Sequence, residues 1–585
     1  MKSFFQYFLA ALLALFVFSF IGFFFFIGTA MAIASFSKSD TKIAAKSVLQ
    51  IDLSNKYEEQ PTTNYQSVFK TEGLEKMPGL YDVIRLIKKA KTDDNIKGIY
   101  LIANSNSNGF ASSDEIRNAL IDFKASKKFV IAYGDVMSQT AYSVANIANK
   151  VYVSPKGYFD WLGFNVNYTF LKGTLDKLDI KPQIFYAGKF KSATEPFRAT
   201  EMSEANELQT RVWLNDLYAD FLQKASEQRK VDSATLHELA NAGTIETPQD
   251  AVSHKLIDGA LYDDEVKDEI KKNIQLAAAD KINFITIEKY FSASSSLGGK
   301  GDKIALVYAT GDIVDGKGGE GKIGSLQYVD LLRKARLDDA IKAIVLRVNS
   351  GGGSALASEN IWREMSLAKK SKPVIVSFGD VAASGGYYIS CAADSIFASK
   401  NSITGSIGVF GIIPDMSGFF KNKLGVTFDG VGTGPLANAG NIDHPLSQRE
   451  QQLVKNSIET IYTSFKARVA EGRKKDTAYI ETIAQGRVWS GLQGKEVGLV
   501  DVFGGLEDAI KAAAAKAKLK EYEIKEYPVQ KNIIERILGI TEDNTDVKLK
   551  KTLGEEYYKV FIQLQKVKEM TQSVQTRLPF EFSLR

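Results

Sequence analysis

Residues 374–410 read VIVSFGDVAASGGYYISCAADSIFASKNSITGSIGVF. The run Val374 to Phe378 is rich in β-branched residues and predicts a buried strand. Gly379-Asp380 is expected to break it, and Ser384-Gly385-Gly386 then opens Tyr387 to Ala393, a small and apolar run that suits a packed helix. A serine at a strand-to-helix junction followed by two glycines is well placed to be a nucleophile. Unpaired backbone N–H groups at the start of the helix can stabilise an oxyanion forming beside it. The competing reading of the same residues is a tight packing turn in an α/β fold.

Upstream and downstream of this stretch, apolar strands alternate with amphipathic helical patterns. Gly79–Ala90, Ile96–Ile102, Ser113–Ala125 and Phe129–Tyr133 are examples in the first half, and a second series begins at Ile304. This βαβα rhythm predicts a mostly parallel sheet with helices around it. The two halves are copies. DNIKGIYL at 94–101 matches DAIKAIVL at 339–346, and Gly134-Asp135-Val136 matches Gly379-Asp380-Val381. Both matches have an offset of 245 residues (339 − 94 and 379 − 134), which is the mark of a duplicated domain rather than a short-period solenoid. A Ser/Gly-rich stretch, SASSSLGGKGD at 292–302, reads as the linker.

The N-terminus carries no charge from Ser3 to Ser37 and is nearly all apolar from Phe8 to Ala34. That exceeds the roughly 20 residues a helix needs to cross a bilayer, so an uncleaved transmembrane anchor is expected. Ala30, Ala32 and Ala34 could imitate a cleavage site, which makes a cleaved signal the lesser reading. Lys2 precedes the apolar run and Lys38, Lys42 and Lys46 follow it, so charge alone leaves the orientation open. The expected organisation is an anchor over 1–46, a first repeat over 47–291, a linker over 292–303, a second repeat over 304–515, and a charged, helical extension over 516–585.

Bulk composition excludes several functions. A net charge of +5 over 585 residues argues against nucleic acid as the main partner. The single cysteine, Cys391, rules out an intrachain disulfide and a cysteine-cluster metal site. His237, His254 and His444 are the only histidines, and none belongs to a paired-ligand spacing. The glycine-rich string at 316–322 is followed by Ile323, where a P-loop needs Ser or Thr, so no nucleotide site is expected.

Comparing the copies narrows the chemistry. At the position of Ser384 the first copy has Gln139, and at the position of Gly351-Gly352-Gly353 it has Asn106-Ser107-Asn108. Three glycines after a strand let backbone N–H groups point at a ligand, so an acyl-oxygen site would belong to the second copy. Asp380 is shared with the first copy as Asp135, and reads as a turn-shaping residue. A serine also needs a base. The histidines read as surface or packing residues, which leaves lysine, whose pKa burial can lower. The first copy has the lysine-bearing stretch KFKSATEPF at 189–197, whereas VGTGPL at 431–436, its expected counterpart, has no lysine. Spacing alone does not choose among the lysines.

The set RVNSGGGS (347–354), GDVAASGGYYIS (379–390), TGSIGVFG (404–411), KFKSATEPF and GRVWSGLQGKEVGLVD (486–501) resembles the signal peptide peptidase A family, also called protease IV. It is most similar to the long, tandem-repeat, membrane-anchored form. The resemblance implies two ClpP/crotonase-like repeats and a peptidase with a Ser/Lys dyad, with no cofactor and no metal. Ser384 is then the nucleophile, Lys191 the general base, Ser406 the residue orienting the lysine, and Gly385 with Gly352 and Gly353 the oxyanion donors. The family usually has proline where this chain has Gly351. Apolar remnants of signal peptides are the implied substrates, paired as extended chains with a strand over Ser402–Phe410. Four chains are implied in a homotetramer, on the outer (periplasmic) face of a bacterial inner membrane. Two other readings compete: an acyl-CoA enzyme of the crotonase type, and a non-catalytic membrane scaffold.

Overall fold

A computed structural model describes residues 2–36, 43–63, 76–294, 301–529 and 573–578. In it, the expected alternation of strands and helices becomes two sheets of the same order. In the first half, strands Gly259–Ala260, Lys150–Phe159, Phe129–Met137, Ile96–Ile102, Ser47–Asp52 and Phe284–Thr286 lie side by side, all parallel. In the second, Val502–Phe503, Ser395–Ala398, Val374–Ala383, Ile341–Ser350, Asp302–Thr310 and Tyr522–Tyr527 repeat that order, again parallel. Strands buried on both faces explain the nearly continuous apolar runs. Ile304 and Leu306 pack with Leu506 and Ile510 on one face, and Ala305 and Val307 with Leu332 on the other.

Several local expectations are corrected. Gly379-Asp380 does not end its strand, which runs from Val374 to Ala383 because Val381–Ala383 takes a new parallel partner, Ile403–Gly405. The helix after Ser384 begins at Gly385 and ends at Ser390. The single strand expected over Ser402–Phe410 is two, Ile403–Gly405 and Val409–Asp415, separated around Ser406, whose φ is +50°. Where a helical extension was expected after 515, Tyr522–Tyr527 forms a strand on Asp302–Thr310. The rest of that expected extension, 530–572 and 579–585, lies outside the described residues. The core of the expected linker, 295–300, lies outside the described residues.

The N-terminal helix spans Lys2–Phe36, and its segment Tyr7–Phe25 is long and apolar enough to cross a membrane and is exposed along its length. Nineteen residues at 1.5 Å rise give about 28 Å, close to the ~30 Å hydrocarbon thickness.

A third sheet joins the repeats. Its order is Lys322–Gly324, Asp312–Val314, Gly352–Ser354, Gln575–Arg577, Val409–Asp415 and Lys181–Ala187. Only the last of these strands comes from the first repeat. It pairs antiparallel with Val409–Asp415 from Lys181↔Asp415 to Ala187↔Val409. Polar contacts add to this seam: Asp380 accepts from Ser112 N (3.0 Å) and Ser112 Oγ (2.7 Å), so it ties the repeats together rather than merely shaping a turn.

The seam's charged centre is Arg347, which is fully buried. It donates to Glu59 (2.9 Å) and Glu115 (2.6 Å) of the first repeat, and to Ser377 Oγ and the Phe378 carbonyl of its own (both 2.9 Å). Burial disfavours its charge, but the Glu115 and Glu59 carboxylates outweigh that and hold it protonated. Removing one partner of a buried ionic cluster leaves the others uncompensated. Arg347→Met is therefore expected to cost about 3–5 kcal/mol of stability. A melting temperature within a degree of wild type in differential scanning calorimetry would show that the cluster does not hold the repeats together.

Candidate active site

The turn that carries Ser384 is strained. Ser384 has φ +53° and ψ −115°, a conformation a non-glycine residue adopts at a cost of about 1–3 kcal/mol. It is held there because Ser384 N donates to the Gly405 carbonyl and Tyr388 N to the Ser384 carbonyl, both at 2.8 Å. The result puts a hydroxyl at the end of a buried parallel strand, next to Gly385. Adding a Cβ to Gly352 would bring it within 2.7 Å of Gly385 N, so these two backbones are in contact. Gly352 has φ +103°, and a Cβ on Gly353 would come within 2.0 Å of the Ile313 carbonyl oxygen. Gly351 has no such restriction: a Cβ there would meet Leu578 at 3.6 Å, ordinary van der Waals contact. A glycine in place of proline at 351 is therefore accommodated without a special backbone.

Lys191 reaches this serine from the other repeat. The strand Lys181–Ala187 delivers the chain to the end of Val409–Asp415, and the chain then turns inward against Gln485-Gly486. Phe190 N donates to the Gln485 carbonyl at 2.7 Å. Gly486, at φ +74°, must be glycine, since a Cβ would lie 2.7 Å from both Lys191 N and Lys191 Cβ. Gln209 supports the turn from outside, donating to Ser192 Oγ (2.9 Å) and accepting from Val488 N (3.0 Å). The Lys191 side chain is almost completely buried. Its Nζ lies 2.9 Å from Ser384 Oγ, 3.1 Å from Ser406 Oγ, 3.3 Å from the Ser406 carbonyl and 2.5 Å from the Arg577 carbonyl. Burial pushes the amine well below the ordinary lysine value.

Ser384, Lys191, Ser406, Gly385, Gly352 and Gly353 thus come together in one place, within one chain. Gly352 N donates to Ser350 Oγ at 3.1 Å, whereas Gly353 stands opposite Thr576 in the sheet. The histidines lie elsewhere in the hydrogen-bond network: His237 packs on Tyr218 (5.7 Å between ring centres), and His444 contacts Asp443 at 2.6 Å. Cys391 is buried and its thiol is pushed up to about 12 by desolvation, which makes it a poor nucleophile.

In the first copy, the equivalent residues serve packing. Gln139 is buried; its Oε1 accepts from Leu162 N (3.1 Å) and Gly163 N (2.9 Å), and its Nε2 donates to the Gly163 carbonyl (2.7 Å). Asn108 accepts from Tyr57 N at 2.9 Å. The stretch 431–436 is an exposed loop on the surface of the second copy.

Sequence reasoning missed Gln209 as well as Asp312 and the strand Gln575–Arg577 beside the site. Gly486 opens one of the quoted motifs, but nothing in the motif ties it to Lys191. The tail strand has only three residues and no periodic signal.

Comparison with known proteins agrees with the duplicated architecture. The model of "Peptidase family S49" matches twice, over residues 122–277 and 366–520. The chain is 36% identical over 518 residues to "Protease 4" of Salmonella typhi, covering 86% of this chain and 83% of that one. It is 32% identical to "Protease 4" of Haemophilus influenzae over 92% of this chain and 91% of the other. It is also 33% identical to "Serine protease SPPA, chloroplastic" of Arabidopsis thaliana, over 74% of this chain and 64% of that protein. With one match on each repeat and relatives aligned along most of both lengths, the chain belongs to peptidase family S49.

Proposed function

We propose that the protein is a membrane-anchored serine endopeptidase in which Ser384 is the nucleophile and Lys191 the general base. The observation that carries this is the 2.9 Å contact between Ser384 Oγ and a buried lysine amine. A lysine at its reference pKa of about 10.4 would be charged at neutral pH and unable to take a proton. Desolvation removes that obstacle. In the neutral amine, the lone pair accepts the Ser384 O–H while the N–H groups donate to Ser406 Oγ and to a carbonyl.

The reaction follows from these positions. Lys191 takes the Ser384 proton as Oγ attacks the peptide carbonyl, and the oxyanion accepts from the Gly385 N–H and from the Gly352 N–H, which exchanges its 3.1 Å bond to Ser350 Oγ for the oxyanion. Each such donor is worth about 3 kcal/mol in the barrier. Gly353 is then a backbone partner for the substrate strand rather than an oxyanion donor. Lys191 returns the proton to the leaving amine, the carbon–nitrogen bond breaks, and water attacks the acyl-Ser384 ester by the reverse route. The positive φ of Ser406 supports a fixed orientation for its hydroxyl beside Lys191.

The same reading includes degradation of apolar peptides, among them cleaved signal peptides, by a chain anchored through Tyr7–Phe25 with its repeats on the outer face of the inner membrane. Assembly into a homotetramer belongs to it as well, although Ser384 and Lys191 meet within a single chain. A fluorophosphonate probe tests the core of the reading. Peptide mapping is expected to find the adduct on Ser384, with labelling slowed at least 100-fold in Lys191→Ala. An adduct on a different serine, or an unchanged rate in Lys191→Ala, would sink the dyad and reopen the crotonase and scaffold readings.

A further inference from the structure

The turn that delivers Lys191 and the turn that carries Ser406 are both bonded to one short connector, residues 485–487. On one side, Phe190 N donates to the Gln485 carbonyl (2.7 Å) and Lys189 N to Gln485 Oε1 (2.9 Å). On the other, Ser406 N donates to the Arg487 carbonyl (2.7 Å) and Gly486 N to the Ile407 carbonyl (2.8 Å). The chain then enters the strand Val488–Ser490, which pairs antiparallel with Ile403–Gly405, Thr404 standing opposite Trp489. Gly405 is the residue whose carbonyl holds Ser384 N. The base and the nucleophile come from different repeats, yet the backbone around both is referred to the same connector.

The side chain of Arg487 makes the same connection a second time. Its Cζ lies 4.1 Å from the centre of the Trp489 ring and 5.2 Å from that of Phe190. Each ring belongs to one half of the site. Phe190 directly precedes Lys191, and Trp489 packs on Gly405, where an added Cβ would come within 2.5 Å of the indole. Arg487 is partly buried, and its Nε is enclosed without a hydrogen-bond partner. Burial holds its guanidinium below the ordinary arginine value, and among the described residues no carboxylate pairs with it to offset that. A guanidinium is a flat, weakly hydrated cation that stacks on aromatic faces, which a compact ammonium does not match. In place of ion pairs, this side chain has two rings.

We propose that Arg487 is a positioning residue for the dyad: its guanidinium joins the Phe190 and Trp489 rings and so fixes the Lys191 amine against Ser384 Oγ. This rests on the Ser384/Lys191 reading. Lys191 reaches Ser384 along a flexible stem, and its Nζ also faces Ser406 Oγ and two carbonyls. A small rotation of its turn changes which of these the amine addresses. Displacing a reacting group by about 1 Å costs on the order of 100-fold in rate. Gln209 of the first repeat already holds the Phe190 carbonyl at 3.2 Å. Arg487 supplies the matching restraint on the Phe190 ring from the second repeat.

The test reads the serine without any peptide present. Fluorophosphonate labelling of Ser384 is timed in the full-length protein for wild type, Arg487→Ala and Arg487→Lys, with the melting temperature of each. Arg487→Ala is expected to slow labelling about 30- to 100-fold. Guanidinium chloride at about 50 mM refills the space beside the rings and should recover about 10-fold of the loss, whereas sodium chloride at the same concentration should recover none. Arg487→Lys keeps the charge without the plane, so it is expected to label within about 3-fold of the Arg487→Ala rate. Adding Phe190→Leu to Arg487→Ala removes one ring and should abolish the recovery. Labelling at the wild-type rate in Arg487→Ala or in Arg487→Lys overturns the proposal, and so does slow labelling that guanidinium leaves unchanged. If Arg487→Ala does not fold, Arg487→Lys, which preserves length and charge, decides alone. None of these failures touches the dyad as long as wild type is labelled on Ser384 and Lys191→Ala slows it. An adduct on another serine breaks the dyad reading whatever Arg487 does.

Discussion

Ser384→Ala is expected to lower kcat/KM for a fluorogenic apolar peptide by roughly 10⁴- to 10⁶-fold, with the fold retained. The substitution isolates the hydroxyl. Alanine carries the same Cβ into the same positive-φ turn, so the strain at residue 384 is unchanged, as are the backbone bonds to Gly405 and Tyr388. What is lost is the nucleophile and one hydrogen bond with Lys191, worth about 1 kcal/mol. Melting temperature should therefore shift by no more than a few degrees while activity collapses. Residual turnover above the uncatalysed rate would reflect the Gly385 and Gly352 donors acting on a bound peptide. If the variant cleaved as fast as wild type, the nucleophile would lie elsewhere, and Gln139 in the first copy would lose its meaning as the counterpart of a catalytic serine.

The parts of this molecule that could be read in advance are those encoded locally or by repetition. Val374 to Phe378 is a buried strand because its residue types suit one, and the two copies have the same sheet order because they have the same pattern at a constant offset. Ser384 was legible from its junction and its glycines. Lys191 was not, except through resemblance to a family. Its contact with Ser384 spans 193 residues and depends on Lys181–Ala187 pairing with Val409–Asp415, a choice of partner strand that no local pattern encodes. Arg347 with Glu59 and Glu115 is hidden for the same reason: the charges belong to different repeats, and each alone looks like an ordinary polar residue. Gly379-Asp380 misled in the opposite direction. Glycine and aspartate are turn residues, yet the parallel partner Ile403–Gly405 extends the strand to Ala383. Within the helical pattern read after 515, Tyr522–Tyr527 is instead a strand, because it has an edge of Asp302–Thr310 to complete, just as Phe284–Thr286 completes Ser47–Asp52.

Lys191→Met should remove activity by about 10⁴-fold or more and, at the same time, abolish a pH dependence of stability. The unfolded chain holds the lysine proton up to about pH 10.4. Burial makes the folded protein release it at a lower pH. Between those two values the unfolded state binds the extra proton, so wild-type stability rises with pH, by about 1.4 kcal/mol for each unit of depression once the whole interval is crossed. Below the folded value both states are protonated, and the full cost of burying the ammonium stands. Methionine has no proton to release and nearly the same length. It loses the contacts to Ser384, Ser406 and the Arg577 carbonyl, but that loss does not depend on pH. Wild type should therefore gain on Lys191→Met in melting temperature between pH 7 and pH 10, and wild-type activity should fall on the acid side as the amine becomes charged. A difference in melting temperature that stays flat across this range would mean that the amine keeps its ordinary affinity for a proton. Lys191 would then be charged at neutral pH and could not serve as the base for Ser384, so a calorimetric measurement without any substrate would decide a point of mechanism.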